Sequence, residues 1–79
     1  MTATIGDRLR LKQQLPYLKT ADPMPMLRPS DLVSLDEVGE VVAIHPLDTV
    51  AVRFRRGTFL ISLDQLKAVS QDDADDVTH

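Results

Sequence analysis

The sequence has no cysteine, no tryptophan and only three aromatic residues among its 79 positions. Without thiols, neither disulfides nor thiolate metal sites can stabilise the core, and the chain is compatible with a reducing cytosol. No stretch approaches the ~18 apolar residues of a membrane span, and the start lacks the charged and apolar segments of a secretory signal. We therefore expect a cytoplasmic protein that does not insert into membranes.

Positive and negative charges nearly balance outside the last residues. The net charge is −3, but four of the twelve acidic residues fall within the last eight positions. They are Asp72, Asp73, Asp75 and Asp76. The rest of the chain is nearly neutral, which makes nucleic acid an unlikely partner. We predict that residues 71–79 form a disordered acidic tail that could compete with an acidic partner for basic sites on the body.

The clearest pattern lies between residues 50 and 63, where two runs of alternating apolar and polar residues flank Arg56-Gly57. Glycine at a two-residue turn is typical of a β-hairpin. With Arg56 and Gly57 as the turn, Phe54 faces Phe59, and the neighbouring pairs are Val52 with Ile61 and Val50 with Leu63. One face of this hairpin is then apolar and the other polar, as an antiparallel sheet with one wet side requires.

Three further segments complete the predicted sheet. Residues 38–45 form a strand that Pro46 to Thr49 connects to Val50, so that Ile44 pairs with Val50 and Val42 with Val52. Ile5, Leu9 and Leu11 share one parity of a first strand. Asp64 to Leu66 forms one helical turn, capped by Asp64, before a last strand at residues 67–69.

The segment between the first two strands, residues 13–36, contains four prolines and is predicted to be a long loop. The expected fold is therefore all-β: a five-stranded SH3-like barrel at residues 1–70, with a long proline-containing loop and one helical turn before the last strand. A half-open barrel or an OB-like arrangement is the structural alternative.

Residue types that carry catalysis or bind metals occur singly or in open turns. The candidates are His45, His79, the Asp36-Glu37 pair and the isolated glycines Gly6, Gly39 and Gly57. None has partners at a spacing that would build a metal site, a nucleophile or a phosphate loop. A chain of this length also has little room for a deep substrate cavity. We expect no enzymatic activity, no cofactor and no small-molecule substrate.

Two groups of residues are candidates for binding a partner. Arg53, Arg55, Arg56 and Leu60 form the first, because alternation turns Arg53 and Arg55 to the outer face with Leu60 opposite Arg53. An ordinary solvated face explains this group equally well. The second group is Tyr17, Met24 and Met26 in the proline loop, where methionines are adaptable and prolines limit the entropy lost on binding. Leu15, Leu18 and Leu27 are expected to fold back and plug the barrel.

The run VGEVVAIHPLDTVAVRFRRGTFLI at residues 38–61, the start Gly6 to Leu9 and the proline loop from Tyr17 to Pro29 resemble the cyanobacterial regulatory SipA family. This resemblance implies a small, non-enzymatic SH3-like protein that binds the ATP-binding region of the sensor histidine kinase NblS and stimulates its autophosphorylation. We expect the protein to be a monomer. The implied role is in two-component stress signalling.

Two other functions remain open at this point. The run Gly39 to Ile44 resembles the opening of a KOW motif, which implies a nucleic-acid-binding module. A small structural subunit of a photosynthetic complex is the other alternative.

Overall fold

The computed structural model describes residues 3–69, and this part of the chain is all-β with two short 3₁₀ turns. The strands are β1 (Arg8–Leu11), β2 (Leu18–Thr20), β3 (Leu27–Arg28), β4 (Gly39–His45), β5 (Thr49–Phe54), β6 (Gly57–Ser62) and β7 (Leu66–Ala68). The 3₁₀ turns span Ser30–Leu32 and Leu63–Gln65. The predicted acidic tail, residues 71–79, lies outside the described residues.

All seven strands belong to one antiparallel sheet in the order β3-β2-β6-β5-β4-β1-β7. The predicted count of five strands is wrong, because β2 and β3 form a hairpin inside the segment predicted as a loop. Pro23 and Pro25 fall between these strands, so their missing N–H groups interrupt no ladder. This strand order leaves β3 and β7 at the two ends of an open sheet. It does not show the closed barrel that the sequence predicted.

The hairpin of β5 and β6 is confirmed, but its turn lies one residue earlier than predicted. Phe54 pairs with Gly57 and Val52 with Phe59, so the turn residues are Arg55 and Arg56. The positive φ of +145° belongs to Gly57, at the start of β6. Because the predicted pairing is displaced by two positions, the same side chains still face inward.

Strand β4 pairs with β5 through a β-bulge. Ile44 lies opposite Val50 as predicted, but Val41, and not Val42, lies opposite Val52. The register shifts between Val41 and Ala43, which makes Val42 the extra residue. A bulge increases the local twist of the strand. The consequence is visible in burial: Val41 is fully buried and Val42 only partly.

The apolar side chains of one face form a single core. Its buried members are Leu9, Leu11, Leu18, Val33, Val41, Val50, Val52, Phe54, Phe59, Ile61, Leu63 and Leu66. Ile5 does not join them, because it precedes β1 and is exposed. The expectation that three leucines of the loop plug the core holds for Leu18 and Leu15 and is wrong for Leu27, which is 65% exposed.

The turn before the last strand is confirmed as a 3₁₀ turn, one residue earlier than predicted. It spans Leu63–Gln65, and Leu66 already belongs to β7. Asp64 does not cap it: no side-chain hydrogen bond caps this turn, and the Asp64 carboxylate instead accepts a hydrogen bond from the Ser62 hydroxyl. The turn brings β7 alongside β1, where Leu66 pairs with Leu11.

Gly39 allows β4 to pack closely on β5. A Cβ atom at this position would lie 2.5 Å from Val52 Cγ1 and 2.7 Å from Phe54 Cε1. Both neighbours are buried, so neither can move aside into solvent. The absence of a side chain at residue 39 therefore leaves room for Val52 and Phe54 in the core.

Candidate partner-binding surfaces

The hairpin of β2 and β3 presents an ordered loop at one edge of the sheet. Its backbone is fixed by the Thr20 N–H, which donates to the Met26 carbonyl at 2.9 Å, and by the Met26 N–H, which donates to Thr20 Oγ1 at 2.8 Å. The Ala21 N–H donates to the Thr58 carbonyl at 3.0 Å and ties the loop to β6. Pro23 and Pro25 stiffen the loop between these bonds.

This hairpin holds several large apolar side chains in solvent. Met24 is 84% exposed, Met26 58%, Leu27 65% and the preceding Tyr17 52%. We call these four residues the hairpin surface. Single exposed apolar residues are ordinary, but four large ones within eleven positions of an ordered segment are typical of an interaction surface. The predicted Tyr17, Met24 and Met26 are thus all exposed, and Leu27 joins them as a candidate contact residue.

The hairpin surface continues onto the outer face of the central strands. Leu27 lies opposite Lys19, Lys19 opposite Leu60, and Leu60 opposite Ala51. This row crosses four strands and contains one charged residue. A shallow cavity of about 340 Å³ runs beside it. Its lining residues are Leu15, Pro16, Tyr17, Lys19, Thr49, Leu60, Ile61, Ser62 and Gln65.

Leu60 therefore belongs with Tyr17 and not with the arginines. The prediction that Leu60 lies opposite Arg53 is wrong, since Arg53 pairs with Thr58. The cause is the displaced turn, which moves every partner along β6 by two residues. Leu60 remains a candidate contact residue, on the hairpin side of the outer face.

The three predicted arginines differ in their surroundings. Arg53 lies on the outer face of β5, and its Nη2 is 2.8 Å from Glu40 Oε1 on β4, directly opposite. Arg55 and Arg56 form the exposed turn, and the Arg55 N–H donates to Glu37 Oε2 at 2.8 Å. Both carboxylates lie in the cavity that Arg53 and Arg55 border.

This arginine groove has a volume of about 390 Å³ and is partly neutralised by the protein itself. It is lined by Arg8, Glu37, Val38, Gly39, Glu40, Arg53, Phe54 and Arg55. Exposed ion pairs such as Arg53 with Glu40 stabilise a fold by only ~0.2–1 kcal/mol, but each one occupies a cation that a partner would otherwise bind. The groove is therefore a weaker candidate than three unpaired arginines would be.

A second cationic surface is formed by residues that were not among the predicted partner-binding candidates. Arg10 on β1 lies directly opposite Lys67 on β7, and Arg8 is on the same side of β1. We call Arg8, Arg10 and Lys67 the basic face. Arg10 Nε is buried and has no hydrogen-bond partner within residues 3–69. The pairing of β1 with β7 joins residues far apart in sequence, so alternation alone could not reveal this cluster.

One carboxyl group has a perturbed acidity. The Thr4 N–H donates to Asp7 Oδ2 and the Thr4 hydroxyl donates to Asp7 Oδ1, each at 2.9 Å. Both bonds favour the ionised form, so the pKa of Asp7 is lowered from its ordinary value. The Asp7 carboxylate therefore uses both of its oxygens within the turn that precedes β1.

Within residues 3–69 no group of three histidine, cysteine, aspartate or glutamate side chains could hold a metal ion. The same part of the chain contains no helix long and apolar enough to cross a membrane. His45 ends β4 as an exposed residue.

Residues 5–66 match the family model described as Protein CHLORORESPIRATORY REDUCTION 42-like. The chain belongs to the CRR42-like family. It is 36% identical over 72 residues to Protein CHLORORESPIRATORY REDUCTION 42, chloroplastic, of Arabidopsis thaliana. The match covers 90% of this chain and 60% of that relative, so the chain spans only part of the relative's length. No solved structure matches the chain.

Family membership overturns the expectation based on the SipA resemblance. The chain is CRR42-like, and neither the family model nor the curated relative connects it with the kinase NblS, with two-component signalling or with the SipA family. The residues behind that resemblance are alternating strands and a proline loop. Small antiparallel sheets with one buried face need such patterns whatever their partner is.

The region shared with the CRR42-like family includes every predicted contact residue. Tyr17, Met24, Met26, Arg53, Arg55, Arg56 and Leu60 all lie within residues 5–66. Their role in binding stays a prediction. Lys67 of the basic face lies one residue beyond the matched region.

Proposed function

We propose that this chain is a non-enzymatic protein-binding module that acts in chlororespiratory reduction, the process in the name of its Arabidopsis relative. The observation that carries the proposal is the hairpin surface: Tyr17, Met24, Met26 and Leu27 are held in solvent by an ordered, proline-stiffened hairpin. The partner is a protein with an apolar recess that accepts these side chains.

The energetics of the hairpin surface favour binding to a protein. Fully burying a Met or Leu side chain stabilises a complex by ~1.5–3 kcal/mol. Because the backbone of the hairpin is already fixed by its hydrogen bonds to Thr20 and Thr58, little loop entropy is lost on association. Methionine also adapts its shape to the partner more readily than a branched side chain does.

A comparison of two double variants tests the hairpin surface. The variant Met24→Ala with Met26→Ala removes apolar area from the hairpin, and Ile5→Ala with Ile44→Ala removes exposed apolar area elsewhere as the matched control. We expect the first to bind the partner at least ~30-fold more weakly, ~2 kcal/mol, and the control to bind normally. Both should keep the melting temperature, since surface changes stay within ~0.5 kcal/mol.

The measurement is quantitative affinity capture from a photosynthetic host, followed by titration of the identified protein against each variant. Loss of binding in both variants, or in neither, would contradict the assignment to the hairpin. Capture of RNA in place of a protein, with binding that weakens steeply with salt, would also contradict it.

The role in chlororespiratory reduction is tested by complementation. We expect this chain, directed to the chloroplast of Arabidopsis plants that lack the relative, to restore chlororespiratory reduction when it is wild type and not when it carries Met24→Ala with Met26→Ala. Because the chain spans 60% of the relative, a chimera that adds the relative's remaining residues is the second arm. Failure of both chain and chimera would overturn the proposed process.

A cytoplasmic location is also part of the proposal, for a host without chloroplasts. The relative is chloroplastic by its printed name, so the two locations need a direct comparison. Fractionation of the native cells followed by immunodetection would settle it, and recovery of the protein only with washed membranes would argue against an unattached form.

For the architecture, we propose that β1, β4, β5, β6 and β7 curl into an SH3-like barrel, with the β2/β3 hairpin as its long loop. Support comes from the element order, which places a meander of three strands and then a 3₁₀ turn before the last strand. Leu66 of the edge strand β7 also belongs to the same core as Phe59 and Ile61 of β6. An experimental structure with a large gap between β6 and β7 would contradict it.

A further inference from the structure

On the basic face, positively charged side chains lie directly opposite one another. Arg10 and Lys67 are cross-strand partners, and Arg8 is two positions from Arg10 on the same side of β1. Like charges directly opposite one another destabilise a strand pair unless an anion lies between them. The only salt bridge within residues 3–69 joins Arg53 to Glu40 and involves none of these three.

The nearby carboxylates have other partners. Glu40 lies opposite Arg8 but binds Arg53 at 2.8 Å, and Glu37 accepts the Arg55 N–H at 2.8 Å. Asp7 accepts both of its hydrogen bonds from Thr4. Within residues 3–69, no carboxylate therefore forms an ion pair with the basic face.

The chain leaves the described structure beside this surface. Ala68 pairs with Leu9, and the Val69 N–H donates to the Arg8 carbonyl at 3.0 Å. The ten residues that follow, SQDDADDVTH, contain four aspartates and no lysine or arginine. Their first aspartate comes three positions after Val69.

We propose that residues 70–79 bind back onto the basic face, where their aspartates pair with Arg8, Arg10 and Lys67, and that an acidic partner segment has to displace them. The reach is sufficient: Arg8 and Arg10 are ~7 Å apart along the strand. Aspartates three to seven residues beyond Val69 can extend ~10–25 Å. Because β7 runs towards the Arg8 end, the chain passes beside Arg8 where the described residues end.

Covalent attachment strengthens this contact. A segment joined by a short linker meets its site at an effective concentration in the millimolar range, so weak ion pairs suffice to populate the bound form. The contact weakens in salt, since the screening length falls from ~10 Å at 0.1 M to ~3 Å at 1 M.

The test uses the full chain with one spin label. Because the sequence has no cysteine, Ala74→Cys provides a unique labelling site between the two aspartate pairs. We expect stronger paramagnetic broadening of the amide signals of residues 8–12 and 66–68 at low salt than in 0.5 M NaCl. The matched reference replaces Asp72, Asp73, Asp75 and Asp76 by Asn, which keeps the tether and removes the charge.

The expected difference between the charged and neutral tails is about tenfold in the ratio of bound to free tail. The reverse variant, Arg10→Glu with Lys67→Glu, should reduce the broadening equally. If that variant does not fold, the neutral tail still decides the question, because it leaves the folded body unchanged. Equal broadening by charged and neutral tails at low salt would overturn the proposal.

Discussion

Gly39→Ala provides the sharpest test of how the core is packed. The new Cβ would meet Val52 Cγ1 at 2.5 Å and the ring of Phe54 at 2.7 Å, both closer than carbon atoms approach one another. Overpacking of a buried site costs ~1–3 kcal/mol. In a strand interior, Ala in place of Gly would otherwise stabilise by ~0.5–1 kcal/mol. We therefore expect a net loss of ~1–2 kcal/mol.

The assay is thermal and chemical denaturation, in which this loss corresponds to a melting temperature lower by ~4–16 °C for a domain of this size. A double-mutant cycle with Val52→Ala identifies the cause, because that change removes the methyl group nearest to the new Cβ. We expect the two changes to couple favourably by ~0.5–3 kcal/mol. Strictly additive effects, or a stabilised Gly39→Ala variant, would refute the close packing of β4 on β5.

Three further predictions concern backbone strain and acidity. Gly57→Val should cost ~1–3 kcal/mol in chemical denaturation, because φ is +145° there and only glycine adopts it readily; an unchanged midpoint would argue against this backbone. Leu47→Asn should stabilise by ~0.5–1 kcal/mol, because Leu47 is exposed at a φ of +62°, and asparagine tolerates that conformation better; a lower midpoint would contradict it. Thr4→Ala should raise the pKa of Asp7 in an NMR titration; since the folded-state pKa is lowered, Asp7 stabilises the native turn at neutral pH and loses this effect as the pH falls through that pKa.

Alternation along the chain was sufficient to predict the central hairpin and the inner faces of β5 and β6, but not that of β4, where Val41 is buried and the predicted Val42 and Ile44 are not. A displacement of two residues in the β5/β6 register left those faces correct because side chains alternate with a period of two. The bulge at Val42 was not predictable, since an extra residue in one strand changes no residue type. The bulge lies in the strand that pairs with both β5 and β1, and it increases the local twist of that strand.

The hairpin of β2 and β3 was not predicted, because strands of three and two residues are too short to show the two-residue period of a β-strand. Its prolines correctly indicated a break in regular structure, yet the break is the hairpin loop itself. Leu27 was expected inside because it is apolar. In the structure Leu18 takes the inward position, and Leu27 lies outside because it is opposite Lys19.

Only part of the candidate site was predictable, because some of its residues lie far apart in the sequence and meet only in the folded sheet. Tyr17, Met24 and Met26 were recognisable from their apolar character among prolines and turn residues. The basic face depends on β7 returning to β1, and no local pattern predicts that Lys67 lies opposite Arg10. Conversely, the arginine groove looked more cationic in sequence than it is, because Glu37 and Glu40 come from another strand segment.

Site-specific photo-cross-linking tests directly whether the hairpin surface binds a protein partner. A photoreactive residue replaces Met24 in one variant and Ile44 in another, each expressed in a photosynthetic host and irradiated before lysis. We expect one dominant covalent adduct from position 24, absent from position 44, whose protein takes part in chlororespiratory reduction. Equal adducts from both positions, an adduct only from position 44, or an adduct with nucleic acid would contradict it.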